Sequence, residues 1–274
     1  MRAIRFLKYY DKGSTVMGAD QVSAGLAARG VDAATIYPRD LAGLSGAIVV
    51  AIKTSRWWDL ARARRAGNRT VLDVQDTVVF KQKIKNLRLF DGLIFKNERQ
   101  LADFGRPGAA GARDRVIYHQ WDPRYRETPA GDGAFAIAYL GDRRSFALGD
   151  QIPGVVCCSG DYFRRALEFN CHLSIRGNER EVLYKPNCKI STAAACAVNL
   201  VTTRDVSAVE LLGEEYPYYT TADLPSILET IERARREFHG PTWERGLAAM
   251  RRVRERTGME RILDDYLAYF ELLD

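Results

Sequence analysis

Short apolar runs alternate with amphipathic stretches along the whole chain. Ile4–Tyr10, Ala33–Tyr37, Gly46–Lys53, Arg69–Val74, Gly92–Lys96 and Arg115–Tyr118 have the length and β-branched content of short strands. One run, Gly46–Lys53, reads Ala-Ile-Val-Val-Ala-Ile without a polar break, as strands buried on both faces of a parallel sheet do. Helical spacing fills the gaps. Ala19–Arg29 carries Val22, Leu26 and Ala27 and is closed by Gly30, and Trp57–Ala66 and Glu98–Phe104 follow. A polar, Pro/Gly-rich stretch, Thr128–Gly133, interrupts the pattern, which then begins again. Strands are predicted at Ala134–Leu140, Val155–Cys158, Cys171–Arg176 and Val198–Val201, and helices at Asp161–Phe169, Ser191–Cys196, Ser207–Leu212, Asp223–Glu237, Trp243–Arg256 and Met259–Leu273. The expected fold class is α/β, with two Rossmann-like domains over residues 1–127 and 134–274, each built on a parallel sheet.

Composition narrows this little. At 274 residues the chain is long enough for two ordinary cores, and no run of about 18 apolar residues predicts a membrane span. The opening Met-Arg-Ala-Ile-Arg-Phe-Leu-Lys is too short and too charged for a secretory signal, so a cytoplasmic protein is expected. Five cysteines (Cys157, Cys158, Cys171, Cys188 and Cys196) lie in one half without a paired C-x-x-C, which argues for reduced, mostly buried thiols rather than disulfides or a zinc site. Charge is uneven: residues 1–127 hold 23 Lys+Arg against 13 Asp+Glu, and residues 128–274 hold 18 against 22. A basic first half suits an anionic partner or is plain surface solvation. Phe80–Phe90 interleaves lysines with apolar residues, which fits either a solvated helix or one leaning on an anionic membrane; no recognisable RNA module surrounds it, and no nucleic acid partner is expected.

The candidate chemistry centres on Leu183–Glu210. Lys185 and Lys189 bracket Pro186 and a short turn, and Ser191–Cys196 follow as a helix of small residues. A helix N-terminus with a lysine beside it attracts anions, phosphate above all; solvated lysines beside a packed helix are the equal alternative. In the first half, Asp76 lies beyond the strand Arg69–Val74, where ligands of doubly wound sheets sit. It is a candidate to deprotonate a hydroxyl, or else a helix cap.

Lys-Pro-x-x-Lys, a small-residue helix, an apolar strand and then x-x-Glu-Leu resemble the donor-binding unit of nucleotide-sugar glycosyltransferases with the GT-B fold, in particular small bacterial members. The resemblance implies two Rossmann-like domains facing a central cleft, with the first domain holding the acceptor and the second the donor. It also implies a terminal helix that crosses back onto the first domain. It implies transfer of a sugar from a nucleotide-diphosphate donor to a glycan, lipid-linked or small-molecule hydroxyl, with no metal and no other cofactor. Arg143 after the strand Ala134–Leu140, Arg176 at the end of its strand, Lys185 and Lys189 correspond to groups on the donor diphosphate, and Glu210 to a ribose or base contact. Gly13 and Ser14 lie in the stretch that matches the family's glycine loop near the leaving phosphate. His119-Gln-Trp-Asp-Pro resembles the interdomain linker, which makes His119, with Asp76, a candidate for acceptor activation. Two departures stand out: Cys188 replaces the usual threonine, and Ser191 and Leu183 fall where a pair of glutamates is usual. A sugar-nucleotide epimerase or a catalytically silent module on the same fold are the alternative readings.

Overall fold

The computed structural model describes residues 1–75, 87–128, 133–143, 146 and 148–274, and every statement below concerns these. The chain divides into two compact units: Met1–His119 with Tyr184–Pro186 and Met259–Asp274, and Gln120–Leu183 with Asn187–Gly258.

The first unit is built on a six-stranded, all-parallel sheet. Its strands are β1 (Ile4–Leu7), β2 (Ala33–Ile36), β3 (Ile48–Ile52), β4 (Arg69–Asp73), β5 (Gly92–Phe95) and β6 (Arg115–Val116), in the order β2-β1-β3-β4-β5-β6. Helices between them are α1 (Gly13–Thr15), α2 (Val22–Ala28), α3 (Trp57–Arg65) and α4 (Glu98–Phe104). Alternate residues of β3 face opposite sides, as the pleat requires. Ile48, Val50 and Ile52 join Phe6, Val22, Leu26, Ile262, Leu263, Tyr266 and Phe270 in one cluster. Val49 packs with Leu7, Leu41 and Ala63 on the other face, and Ala51 with Leu60, Leu72 and Phe95. This double burial explains why the β3 sequence has no polar alternation.

One sequence expectation changes here. The stretch Asp11–Gly18 is helical from Gly13 onward rather than a glycine-bearing loop: α1 runs directly into a π-helical stretch, Val16–Gln21, and then α2. The Thr15 hydroxyl, donating to the carbonyls of Tyr10 and Lys12, closes the first turn and starts the helix early. Of the basic stretch 80–90, residues 80–86 lie outside the described residues; Leu87 and Leu89 pack against the Phe90 cluster, so the described part turns its apolar side chains inward.

The second unit carries a five-stranded, all-parallel sheet of β7 (Ile137–Leu140), β8 (Val155–Cys158), β9 (Cys171–Ser174), β10 (Asn199–Thr203) and β11 (Tyr219–Thr220), in the order β11-β10-β9-β7-β8. Its helices are α5 (Tyr162–Arg165), α6 (Glu179–Tyr184, whose last residue groups with the first unit), α7 (Cys188–Ala195), α8 (Val206–Leu212), α9 (Leu224–Arg236) and α10 (Pro241–Arg256). The sequence reading missed α6 and the short edge strand β11, which it took for a turn; two residues are too few to show a period.

The final helix, α11 (Met259–Glu271), belongs to the first unit. Its stripe Ile262, Leu263, Tyr266 and Phe270 is fully buried against α2 and β1. Gly25 permits this: a Cβ there would lie 2.8 Å from Leu263 Cδ1. Among the described residues no helix is long and apolar enough to cross a membrane.

Candidate functional site

In open parallel sheets, ligands settle beyond the carboxyl ends of the strands, where the strand order reverses. In the second unit that point lies between β7 and β9. Arg143 follows β7 and Arg176 follows β9, so the topology puts both at the correct edge. α7 starts from the same edge, since it leads from β9 back to the foot of β10.

Lys189, in the first turn of α7, lines a small, half-open pocket of about 40 Å³ with Tyr125, Leu140, His172, Leu173, Thr192 and Leu200. Its ammonium lies 3.3 Å from the centroid of the Tyr139 ring, a cation–π contact within the second unit. Tyr139 is itself stacked on Phe146, with centroids 4.3 Å apart. At the helix start, the Asn187 amide bonds the Ser191 hydroxyl, and both side chains are buried. The position where the family carries a glutamate is thus closed off by a local bond.

His172 is buried in β9, and its Nε2 has no hydrogen-bond partner among the described residues. Burial pushes its pKa down to about 4; the Ala166 carbonyl opposes this and Lys189 adds to it. The pocket thus combines a cation, hydroxyls from Tyr125 and Thr192, and a neutral imidazole. Burial, first of all, pushes the Tyr125 phenol up, while a hydrogen bond with Thr192 opposes that.

The other predicted cations are not among the pocket's lining residues. Arg176 is 8% exposed, and its Nη1 lies 3.1 Å from Asp205 Oδ1. Asp205 caps α8 through the Ala208 amide. Burial raises the Asp205 carboxyl above its ordinary range, and the Arg176 charge works against that rise. Arg143 and Lys185 are exposed. Glu210 is half-buried on α8, and its backbone carbonyl accepts from Arg256 Nη1 at 3.0 Å.

In the first unit the strand order reverses between β1 and β3. The segment after β1 is pinned by Lys8, whose ammonium lies 2.6 Å from both Asp11 Oδ1 and Asp20 Oδ2. Burial opposes the charge on Lys8, but the two carboxylates outweigh it and push its pKa up. Gly13, exposed, and Ser14, half-buried, open α1 just beyond. His119 is 1% exposed, at the end of the segment that follows β6. Asp76 lies outside the described residues.

Sequence reasoning passed over two polar groups in apolar strands, His172 in β9 and Asp73 in β4. A titratable side chain in a strand expected to be buried was the available signal. Asp73 is fully buried with Lys96 beside it.

No family model matches the sequence, and no curated protein matches it either. Solved structures do match in fold. Sucrose-phosphate synthase from Thermosynechococcus elongatus superposes with a TM-score of 0.69 at 12% identity, over 100% of this chain and 99% of that one. HepE of Anabaena, solved in complex with UDP and glucose, gives 0.70 at 11% identity, over 99% of this chain and 100% of that one. A glycosyltransferase from Rickettsia africae gives 0.68 at 10% identity, over 100% and 99%. The chain therefore has the α/β fold of GT-B glycosyltransferases, with two all-parallel sheets and interleaved helices.

Proposed function

We propose that the protein is a glycosyltransferase that moves a sugar from a nucleotide-diphosphate donor to a hydroxyl of a glycan, lipid-linked or small-molecule acceptor. The observation that carries this reading is Lys189. A half-buried lysine in the first turn of α7 lines a pocket shared by α7 and the strands β7, β9 and β10 of the second sheet. The fold is shared with HepE, which has been solved with UDP, with UDP-glucose, and with UDP and glucose.

Departure of a nucleoside diphosphate builds negative charge on the bridging oxygen. A fixed ammonium and a helix N-terminus stabilise that charge more in the transition state than in the ground state, which is what accelerates the step. Lys189 takes this role in the proposal, with the exposed Arg143 and Lys185 as further candidates for the diphosphate. Arg176 stays among the candidates for the diphosphate in the proposal, with one guanidinium nitrogen paired to Asp205 at the start of α8. On the acceptor side, Asp76 or His119 takes the hydroxyl proton, and Gly13 and Ser14 lie on the segment following β1. The reaction is proposed to need no metal, because cationic side chains replace one at the diphosphate. The donor domain is the second unit and the acceptor domain the first, in a cytoplasmic protein.

The test is turnover. The protein is incubated with uridine, guanosine, adenosine and thymidine diphosphate sugars and with glycan and lipid-linked acceptors, with chelator present, and products are read by mass spectrometry. Transferred sugar supports the proposal. Epimerised donor without acceptor, or no turnover with intact nucleotide binding, supports instead an epimerase or a silent module; the buried Arg176–Asp205 ion pair is the observation that favours the module.

A further inference from the structure

Several features of the first unit meet at the end of β4. The Asp73 carboxylate is fully buried and held by three hydrogen bonds: Oδ2 accepts from Lys96 Nζ at 2.9 Å and from Tyr266 Oη at 2.6 Å, and Oδ1 from Gln75 Nε2 at 2.8 Å. The Lys96 side chain is 2% exposed. A buried ion pair of this kind adds little net stability over an apolar pair of equal volume, because desolvating both charges offsets their attraction. What it provides is a fixed geometry.

That geometry holds strained backbone. Gln75 has φ of 44° and Lys53, at the end of neighbouring β3, has φ of 66°; both are left-handed and neither is glycine. The Lys53 amide donates to the Asp73 carbonyl at 2.9 Å, so the two strained positions are joined through Asp73. Gly18, in the π-helical stretch after β1, makes room: a Cβ there would lie 3.1 Å from Gln75 Nε2. Single π turns gather at functional sites. Gln75 is 2% exposed, and its Oε1 has no hydrogen-bond donor among the described residues. An unpaired buried acceptor costs stability that a bound donor recovers.

We infer that Asp73, Lys96 and Tyr266 are positioning residues: they lock the turn at Gln75 so that its Oε1 accepts a hydrogen bond from a hydroxyl of a sugar-class substrate. The inference rests on the transferase reading. Tyr266 comes from α11, so the last helix of the chain sets the geometry of the first unit's strand ends. The glutamine amide contacts substrate, and the other three act through it.

The experiment uses the full chain with ¹⁵N-labelled glutamine. The sequence has six glutamines, and the Gln75 side-chain amide pair is assigned by its loss in Gln75→Ala. Tyr266→Phe and Lys96→Met shift that pair, whereas Tyr269→Phe, a buried tyrosine of the same helix whose hydroxyl makes no hydrogen bond among the described residues, leaves it in place. In transfer assays Tyr266→Phe lowers kcat about tenfold and leaves the donor KM within about twofold, since the donor is held by the second unit. A merely structural tyrosine would instead lower the melting temperature with kcat per folded molecule intact. An unmoved Gln75 signal in Tyr266→Phe overturns the inference, as does unchanged kcat in Gln75→Ala. Wild-type protein without turnover removes the transferase reading, and the Gln75 signal then decides the positioning claim alone.

Discussion

Lys189 rests its ammonium on the face of Tyr139, 3.3 Å from the ring centroid. The contact aims a flexible side chain before any ligand arrives, which lowers the entropy lost on binding. Cation–π contacts of partly buried groups contribute about 1 kcal/mol. Tyr139→Leu is therefore expected to weaken nucleoside diphosphate binding about fivefold, and Tyr139→Phe, which keeps the ring, to leave it within twofold. Isothermal titration of both variants checks this.

Arg176 and Asp205 are a buried pair, with side-chain exposures of 9% and 1%. Removing the guanidinium leaves a buried carboxylate uncompensated. Arg176→Met is expected to cost roughly 3–5 kcal/mol in urea unfolding. Adding Asp205→Asn, which keeps a side-chain oxygen for the α8 cap, recovers much of that loss. A double variant as unstable as the single one would show that Arg176 stabilises by another route.

His172 gives the second unit a pH dependence. Its pKa is near 4 when folded against 6.5 as the ordinary value, so the unfolded chain binds a proton first as pH falls. The stability that the neutral, buried ring permits is complete above pH 6.5 and is lost progressively down to about pH 4. The loss is on the order of 3 kcal/mol. His172→Gln removes this contribution. The difference in unfolding free energy between wild type and variant is expected to narrow or reverse between pH 7 and pH 4.5.

The packing of α11 on the first unit predicts a large effect from a remote residue. Phe270 is fully buried against Phe6, with ring centroids 6.3 Å apart. Phe270→Ala is expected to cost about 3–5 kcal/mol. Loss of that size, measured by denaturant titration, would come from a residue only four from the end of a 274-residue chain.

The strand and helix pattern was legible because parallel strands buried on both faces, such as β3, read as unbroken apolar runs. Boundaries were less so. α1 begins at Gly13 because the Thr15 hydroxyl satisfies two backbone carbonyls, a local bond that hydrophobic periodicity does not report. The cationic stretch around Lys189 was visible as a motif, but the partners of its cations were not. Asp205 is 29 residues from Arg176, and Tyr139 is 50 from Lys189; only the sheet order brings each pair together. The Asp73–Tyr266 bond spans 193 residues and had no sequence signal beyond a carboxylate at the end of a strand expected to be buried.

The central claim is that Lys189 holds a nucleoside diphosphate at the start of α7. Titration of uridine, guanosine, adenosine and thymidine diphosphates into wild type and Lys189→Ala tests it most directly. The account predicts saturable binding of at least one of them to wild type and a loss of about tenfold or more in the variant, with the unfolding midpoint preserved. Equal affinity in the two proteins, or no binding of any of the four to wild type, would contradict it.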